Sequence, residues 1–245
     1  MEQKLTPPIG RVGGKSQIAA RIIKLFPPHK IYVEPFVGAG NIIYRKPFSQ
    51  IEIINDLDKD MYKIFCGIKS RGDWIDKNIY RTYLTKYQFD SIKDKNDLMS
   101  LLYKYHCSFS SKGETYNDRN FFKQGKNPSI WKANFSALQD RLKDVQIYND
   151  DYKNIIRHFD SPDTFFYLDP PYENTKKYTN YVSPEDVYLT LKKIKGKFLL
   201  SYNDSPRIRE IFKEFRIRNV STKYTGNLLG TSNNEKVNEL IITNY

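Results

Sequence analysis

The chain has 245 residues and carries a formal net charge of +12, and 15% of its residues are aromatic. That length excludes a peptide-like module and suits one elaborated α/β domain, or a core with a smaller insertion. The charge and the rings favour a polyanionic partner with flat bases, so nucleic acid is the first hypothesis, although a basic soluble protein of another class fits the charge equally well.

The cysteines, histidines and hydrophobic runs indicate which kinds of protein this chain can be. Cys66 and Cys107 lie far apart and pair with no histidine at zinc-like spacing, so we expect plain thiols and no metal. The first residues lack the pattern of a signal peptide, and no run of about 18 apolar residues occurs. We therefore expect a soluble, cytoplasmic protein that does not contact a membrane.

The first element is a glycine-punctuated loop that leads into a helix. Residues 10–16 read Gly-Arg-Val-Gly-Gly-Lys-Ser, and Ile18, Ile22 and Leu25 follow at helical spacing. A helix N-terminus offers free N–H groups to an anionic or polar ligand. A phosphate-binding P-loop is disfavoured, because Ile9 stands where that motif needs glycine and no strand precedes it.

The next segment is a strand that ends in a glycine turn. Residues 30–34 are mostly apolar, Pro35 stops the strand, and Gly38 and Gly40 follow with one residue between them. Glycine at these positions permits a tight turn and the close approach of a ligand. A short Gly-x-Gly is more often an ordinary turn than a nucleotide site, so this signal is weak by itself.

A second strand supplies an acidic residue at a matching position. Residues 51–55 read as a strand that ends in Asp56, about twenty residues after the glycines, where nucleotide-binding α/β folds place a carboxylate for ribose hydroxyls. Asp56 or Asp58 could instead cap a helix. Strand, glycine turn, helix, strand and acid in this order favour a nucleoside site.

The pattern changes between residues 59 and 145. Helical spacing recurs at 61–68 and at 98–105 but fails between 108 and 130, a polar stretch with many aromatic and basic side chains. We predict an inserted region that reads nucleic acid, with cations for phosphates and rings for stacking; a solvated surface loop is the alternative. The candidate DNA-binding residues in this insertion are Lys112, Tyr116, Arg119, Asn120, Lys123 and Lys126.

The α/β pattern resumes with a strand at 145–148 and reaches the most informative stretch at 165–172. There an aromatic, apolar run stops at Asp169, which is followed by two prolines and Tyr172. Proline lacks the N–H donor that a sheet ladder needs, so the strand ends at this carboxylate. Because ligands bind outside the carboxyl ends of strands in open α/β sheets, we predict a site with a hydrogen-bond acceptor and a stacking surface.

The remainder of the chain is predicted to flank this site and close the sheet. Residues 173–182 are polar and suit a mobile flap, with Lys176, Lys177 and Tyr178 as further DNA-binding candidates. Pro184 and Pro206 begin helices, because proline is favoured in the first helical turn. Strands are predicted at 197–202, 216–224 and 237–243.

An adenine amine would fit the chemistry of the corner at Asp169. Its lone pair is delocalised into the ring, so the surrounding groups should accept its N–H hydrogen bonds and favour a tetrahedral nitrogen. Asp169 can accept one, the carbonyl of Pro170 can accept the other, and Tyr172 can stack on the base. Asp169 need not be a strong base, because its main effect is to stabilise the positive charge that develops on nitrogen.

Five stretches of the chain, in their order, resemble the Dam-like DNA adenine-N6 methyltransferases, which use S-adenosylmethionine. The stretches are residues 11–15, 34–40, 55–56, 150–152 and 169–172, and the resemblance covers essentially the whole chain. It implies a Rossmann-like α/β fold, a mixed methyltransferase sheet with an inserted small, mainly helical DNA-recognition domain. Residues 1–58 and 146–245 would form the catalytic domain, and residues 59–145 would form the insertion.

The resemblance also assigns roles to residues. Asp169, Pro170 and Tyr172 would be catalytic, and the cofactor would be bound by Arg11, Gly14, Lys15, Phe36, Gly38, Gly40, Asp56, Asp151, Tyr152 and Asp169. The implied reaction is direct methyl transfer to the N6 amine of an adenine flipped out of DNA, without metal. DNA would be the substrate, and a cognate restriction endonuclease is a candidate partner.

The insertion departs from the family pattern, since it lacks the Asn-rich hairpin of enzymes that modify GATC, so we do not expect GATC as the site. Other readings remain open at this point. They are methylation of cytosine N4 or of RNA, and a non-catalytic nucleic-acid-binding protein with this fold.

Overall fold

A mixed β-sheet of seven strands forms the centre of the protein. The computed structural model describes residues 5–11, 13–79, 84–118, 131–172, 182–223 and 236–245. Within them the strands are β1 (Ile31–Glu34), β2 (Ile51–Asn55), β3 (Gln146–Tyr148), β4 (Thr164–Leu168), β5 (Lys197–Asn203), β6 (Arg216–Lys223) and β7 (Lys236–Thr243). Their order across the sheet is β3-β2-β1-β4-β5-β7-β6.

The strand directions identify the fold as Rossmann-like. β1 to β5 are parallel to one another, whereas β7 is antiparallel to both β5 and β6. From β1 the chain moves to β2 on one side and later returns to β4 on the other, so the strand order reverses between β1 and β4. Ligands of open α/β sheets bind at such a switch point. The predicted fold class and the predicted strands are confirmed.

Helices cover both faces of the sheet. They are α1 (Ala19–Ile23), α2 (Lys59–Asn78), α3 (Lys86–Ile92), α4 (Leu98–Cys107), α5 (Phe135–Leu142), α6 (Tyr152–Phe159), α7 (Pro184–Leu191) and α8 (Pro206–Ile211), with a 3₁₀ turn at Phe109–Ser111. Each helix from α2 onward begins at a residue whose side chain accepts a backbone N–H that would otherwise be unpaired. Among the described residues, no helix has the length and apolar character needed to cross a membrane.

Side chains of the central strands alternate between two cores. Tyr32 and Phe165 lie in the core shared with α1, α2, α4 and α5, whereas Val33 and Phe166 lie in the core shared with α6, α7 and α8. All five residues of β4 are buried, because both faces of a parallel strand are covered. The aromatic run before Asp169 is therefore the buried centre of the sheet, which holds that carboxylate in a fixed position.

The helices α2 to α5 lie between β2 and β3 in the chain, where the sequence predicts an insertion. α2 and α5 approach closely, since a Cβ on Gly72 would lie 2.3 Å from the carbonyl oxygen of Phe135. Ile64 and Ile68 of α2 and Leu138 of α5 share the core on one face of the sheet. α2 and α5 thus pack on the sheet, and the insertion with its boundaries at 59 and 145 stays a prediction.

Candidate active site

A cleft of about 960 Å³ opens at the carboxyl ends of β1 to β4. The segments that follow these strands supply most of its wall, together with the loop at 11–15. The cleft lies at the point where the strand order reverses, which is where this class of sheet binds ligands. Its volume is in the range of sites for small molecules.

Most of the predicted site residues lie together on the wall of this cleft. They are Arg11, Gly14, Lys15, Phe36, Gly38, Asp56, Asp151, Tyr152, Asp169, Pro170 and Tyr172. Gly40 does not line the cleft. It has φ +79°, and a Cβ there would lie 2.6 Å from the ring of Tyr44 and 2.9 Å from that of Phe65, so packing requires this glycine. Its contact with a cofactor stays a prediction.

The predicted DNA-binding residues fall into two groups. Lys112 and Tyr116 are described and do not line the cleft; the Tyr116 hydroxyl donates to the carbonyl of Leu84 at 2.7 Å, and its ring packs 5.6 Å from that of Phe89. Tyr116 therefore helps to hold the insertion together. The others lie outside the described residues, and they are Arg119, Asn120, Lys123, Lys126, Lys176, Lys177 and Tyr178.

The turns after β1 and β2 are joined at Asp56. One carboxylate oxygen of Asp56 accepts the N–H of Gly38 at 2.9 Å, and the other accepts the N–H of Asp58 at 2.9 Å. Each oxygen retains a lone pair that can accept a hydrogen bond from a ligand hydroxyl. Burial raises the pKa of Asp56, although Arg11 and the two backbone donors oppose this effect.

Asn55 fixes the floor of the cleft, and the sequence-based assignment of site residues missed it. Its side-chain amide donates to the carbonyls of Pro35 and Asp150 at 2.9 Å each, and its oxygen accepts the N–H of Asp150 at 2.9 Å. One buried side chain thus connects the segments that follow β1 and β3. The available signal was an amide residue at the end of an otherwise apolar buried strand, because a buried amide needs such partners.

Apolar and charged groups complete this side of the cleft. The rings of Phe36 and Tyr152 lie 5.1 Å apart, and Leu57 contributes a side chain that is 44% exposed although it is apolar. Arg11 forms an ion pair with Asp58 at 2.8 Å. This half of the cleft can therefore bind a flat heterocycle between apolar walls and a ribose at Asp56.

The other half of the cleft is a polar corner around Asp169. The Lys15 ammonium lies 2.8 Å from Oδ1 of Asp169 and also donates to the carbonyl of Gly13 at 3.0 Å. The hydroxyl of Ser201 donates to the same Oδ1 at 3.0 Å. Among the residues that the structure describes, donors reach Asp169 at Oδ1, so Oδ2 keeps its acceptor capacity for a ligand.

Glu239 of β7 also lies in this corner, which the sequence did not reveal. Its Oε1 lies 3.2 Å from the Lys15 ammonium and accepts a hydrogen bond from the hydroxyl of Tyr172. Burial raises the pKa of Glu239, and the Lys15 ammonium partly offsets the rise. For Lys15, burial lowers the pKa, but Asp169 and Glu239 outweigh burial and the pKa lies above its ordinary value.

The ring of Tyr172 is already stacked on a neighbour. It lies 5.0 Å from the ring of Tyr202 at an angle of 20°. One face is therefore covered by protein, and a base would have to use the other. The predicted stacking of Tyr172 on a target base stays a prediction.

A buried acid, Glu34, lies on the cleft wall at the end of β1. It accepts a hydrogen bond from the hydroxyl of Tyr32 at 2.8 Å. Burial raises its pKa from the ordinary 4.5 to about 8, with Tyr32 and Lys46 opposing the rise. In the described part of the chain, no group of three or more His, Cys, Asp or Glu residues is placed to hold a metal ion.

Comparison with known proteins gives one family and several relatives. The family model of the D12 class N6 adenine-specific DNA methyltransferases matches residues 12–226. The type II methyltransferase M.MjaIII of Methanocaldococcus jannaschii is 26% identical over 95% of this chain and 96% of its own. The type II methyltransferase M1.LlaDCHI of Lactococcus lactis subsp. cremoris is 26% identical over 95% of this chain and 93% of its own.

A solved structure is also similar in outline. A candidate methyltransferase from Streptococcus mutans, in complex with SAH, aligns over 92% of this chain and 94% of its own, with 9% identity and a TM-score of 0.38. The strand order, rather than this low score, identifies the fold.

Proposed function

The chain belongs to the D12 class N6 adenine-specific DNA methyltransferases, and from that premise we propose how its cleft performs the reaction. Enzymes of this family transfer a methyl group from S-adenosylmethionine to the N6 amine of adenine in DNA. We propose that Asp169 and the Pro170 carbonyl receive that amine, and that the pocket between Phe36 and Tyr152 holds the methyl donor.

The position of Asp169 carries this proposal. The carboxylate is fixed at the end of the central, fully buried strand, and it lies on the same cleft wall as Asp56. An acceptor for an amine and a pocket for a nucleoside thus share one cavity, as transfer between two bound substrates requires. Oδ2 of Asp169 is the oxygen that we assign to the amine.

The cofactor half of the cleft fits S-adenosylmethionine by its donors and its walls. Asp56 would accept the ribose hydroxyls, Phe36, Leu57 and Tyr152 would enclose the adenine, and the glycine turn at 38–40 would leave room for the methionine end. When bound, S-adenosylmethionine supplies an electrophilic methyl group. The residues of this chain orient the amine toward it and exclude water.

Asp169 acts chiefly by electrostatics in this proposal. The N6 amine gains positive charge as it is methylated, and a carboxylate held in position stabilises that charge. The carbonyl of Pro170 would accept the second N–H. Because the amine of a paired base is inaccessible, the adenine must leave the helix, at a cost of a few kcal/mol, which base stacking on an aromatic ring such as Tyr172 can offset.

The biological setting that we propose is restriction and modification. Both curated relatives carry the name type II methyltransferase, which supports a matching role for this chain with a cognate restriction endonuclease. In this role, the predicted recognition insertion at 59–145 would contact the bases of the target sequence.

Expression in a host free of DNA methylation, followed by single-molecule sequencing, tests the proposal. We expect N6-methyladenine at one short sequence and no modified cytosine. Methyl transfer to RNA alone, or no transfer at all, would contradict it.

Asp169→Ala tests the assigned residue. We expect the methyl-transfer rate to fall by about a thousandfold or more, because the acceptor for the amine is lost, while DNA binding persists. Tritiated-methyl incorporation and equilibrium binding would measure both. The matched control is Asp163→Ala, which removes an exposed aspartate paired with Lys30 and should leave the rate unchanged.

A further inference from the structure

Glu239 is a buried carboxylate in the active-site corner, on a strand outside the motifs of the family resemblance. Its side chain is about 5% exposed, and it reaches the corner from β7, the strand antiparallel to β5. Taking a carboxylate out of water is unfavourable unless strong partners compensate. Among the described residues, the partners of Glu239 are the Lys15 ammonium and the Tyr172 hydroxyl, which are also neighbours of Asp169.

The number of donors in the corner is limited. Lys15 has three N–H groups, and Gly13, Asp169 and Glu239 supply one acceptor for each. The Tyr172 hydroxyl has a single hydrogen and lies 3.2 Å from Oδ1 of Asp169 but closer to Glu239. That hydrogen therefore goes to Glu239. Asp169 and Glu239 compete for the same two donors, and Glu239 takes one entirely and shares the other.

We propose that Glu239 is a positioning residue for methyl transfer, which draws Lys15 and the Tyr172 hydroxyl away from Asp169 so that Asp169 remains a strong acceptor for the N6 amine. This inference rests on the proposed role of Asp169. A carboxylate that already accepts from an ammonium, from Ser201 and from a tyrosine has less charge to offer a further donor. Glu239 prevents the third of these contacts and weakens the first.

The charge of the corner supports the same role. Asp169 and Glu239 provide two carboxylates for one ammonium, which leaves the corner negative where the amine becomes positive. Without the charge of Glu239, Lys15 would neutralise Asp169 completely. In the part of the chain that the structure describes, the hydroxyls of Tyr172 and Tyr167 also face Glu239, and they do not change that balance while they are protonated.

Steady-state kinetics of Glu239→Gln test the proposal. The variant keeps the shape and removes the charge. We expect kcat for methyl transfer to fall by about tenfold to a hundredfold, the loss of an interaction between charged groups. KM for S-adenosylmethionine and for DNA should stay within about twofold, because neither is bound by Glu239. A normal kcat, or a loss confined to KM, would overturn the proposal.

Tyr172→Phe supplies a readout that a purely structural role would not give. Without the hydroxyl, no tyrosine hydrogen can turn to Asp169 when Glu239 is neutral. The fold decrease in kcat that Glu239→Gln causes should therefore be smaller in the Tyr172→Phe background, by a factor of about three or more. An equal decrease in kcat with and without the Tyr172 hydroxyl would contradict the competition of Asp169 and Glu239 for donors. Glu210→Gln, on an exposed residue paired with Lys213, is the matched control.

Two further outcomes are a Glu239→Gln variant that does not fold and a wild-type protein that transfers no methyl group. If Glu239→Gln does not fold, Glu239→Asp replaces it: the shorter carboxylate withdraws from the Tyr172 hydroxyl, and kcat should fall by about tenfold. An unchanged kcat in that variant would overturn the inference. If the wild-type protein transfers no methyl group to DNA, the proposed function fails, whereas a working wild type with an equally fast Glu239→Gln defeats only the role of Glu239.

Discussion

Two buried ion clusters in this protein contain the same kinds of side chain in opposite proportions. The cleft cluster consists of Lys15, Asp169 and Glu239, and thus has two carboxylates for one cation. The second cluster, which we call the β2 cluster, consists of Lys46, Glu52 and Arg141, and thus has two cations for one carboxylate.

The β2 cluster joins secondary structure. Arg141 of α5 donates from Nη1 and Nη2 to the two oxygens of Glu52 at 2.5 Å and 3.0 Å, and Lys46 donates to the same carboxylate. Burial would raise the pKa of Glu52, but Arg141 and Lys46 outweigh it and hold the pKa below its ordinary value. None of the three lines the cleft. This cluster fastens α5 to β2.

The difference supports the proposal that the cleft cluster serves the chemistry. In the β2 cluster every charge is enclosed and the single carboxylate is fully paired, as a structural role requires. In the cleft cluster the excess charge is negative, and Asp169 is 20% exposed on the wall of the cavity. The carboxylate excess thus lies where, in the proposed mechanism, a positive charge develops during methyl transfer.

The largest contrast should come from removing the lone cation of the cleft cluster. Lys15→Met leaves two carboxylates without an ammonium, and we expect a loss of about 3 kcal/mol in the free energy of unfolding near pH 8. The loss should shrink on acidification, because Glu239 can then take up a proton in the folded state. Urea unfolding at several pH values measures this, and a loss independent of pH would contradict it.

A smaller effect is expected for the β2 cluster. Arg141→Met still leaves Lys46 beside Glu52, so an ion pair with no net charge remains. We expect a loss of about 2 kcal/mol in the free energy of unfolding. This loss should grow slightly between about pH 5.5 and pH 8, because Arg141 is one of the charges that lower the raised pKa of Glu34 and its removal raises that pKa further. Methyl transfer per folded molecule should be unchanged. A large drop in that rate would show that the two clusters are not separate in function.

A change of stability with pH is expected at the boundary between the clusters, where Glu34 lies. The charges that act on it are those of Lys46 and Arg141 on one side and Asp169 on the other, and its pKa is raised from 4.5 to about 8. The folded protein therefore holds a proton that the unfolded chain loses above about pH 4.5. Stability should fall as the pH rises toward 8, with a slope of up to about 1.4 kcal/mol per pH unit from this group.

Glu34→Gln should remove that slope. Relative to the wild type, the variant should gain stability as the pH rises, which urea unfolding across this range would detect. Glu210→Gln serves again as the exposed control and should keep the wild-type slope. A variant whose stability follows the wild-type curve would show that Glu34 is ionised at neutral pH.

Much of the fold could be read from local patterns. The strand that ends at Asp169, the strand that ends at Asn55 and the helices that begin at Pro184 and Pro206 all appear where the sequence predicts them. Apolar periodicity, proline and capping residues act within a few positions along the chain, so they are visible without a structure. The same applies to the motif residues on the cleft wall, since parallel strands bring their carboxyl ends to one edge.

The sequence by itself determined the fold class, the family and the carboxylate at the end of the central strand. Only the tertiary structure decided which side chains share that carboxylate's donors. Glu239 is 70 residues beyond Asp169 on an antiparallel strand, and its pattern is that of any polar position in a half-buried strand. Whether a charge at such a position is a solvated surface group or part of a buried site depends on contacts between distant segments, which no local pattern encodes.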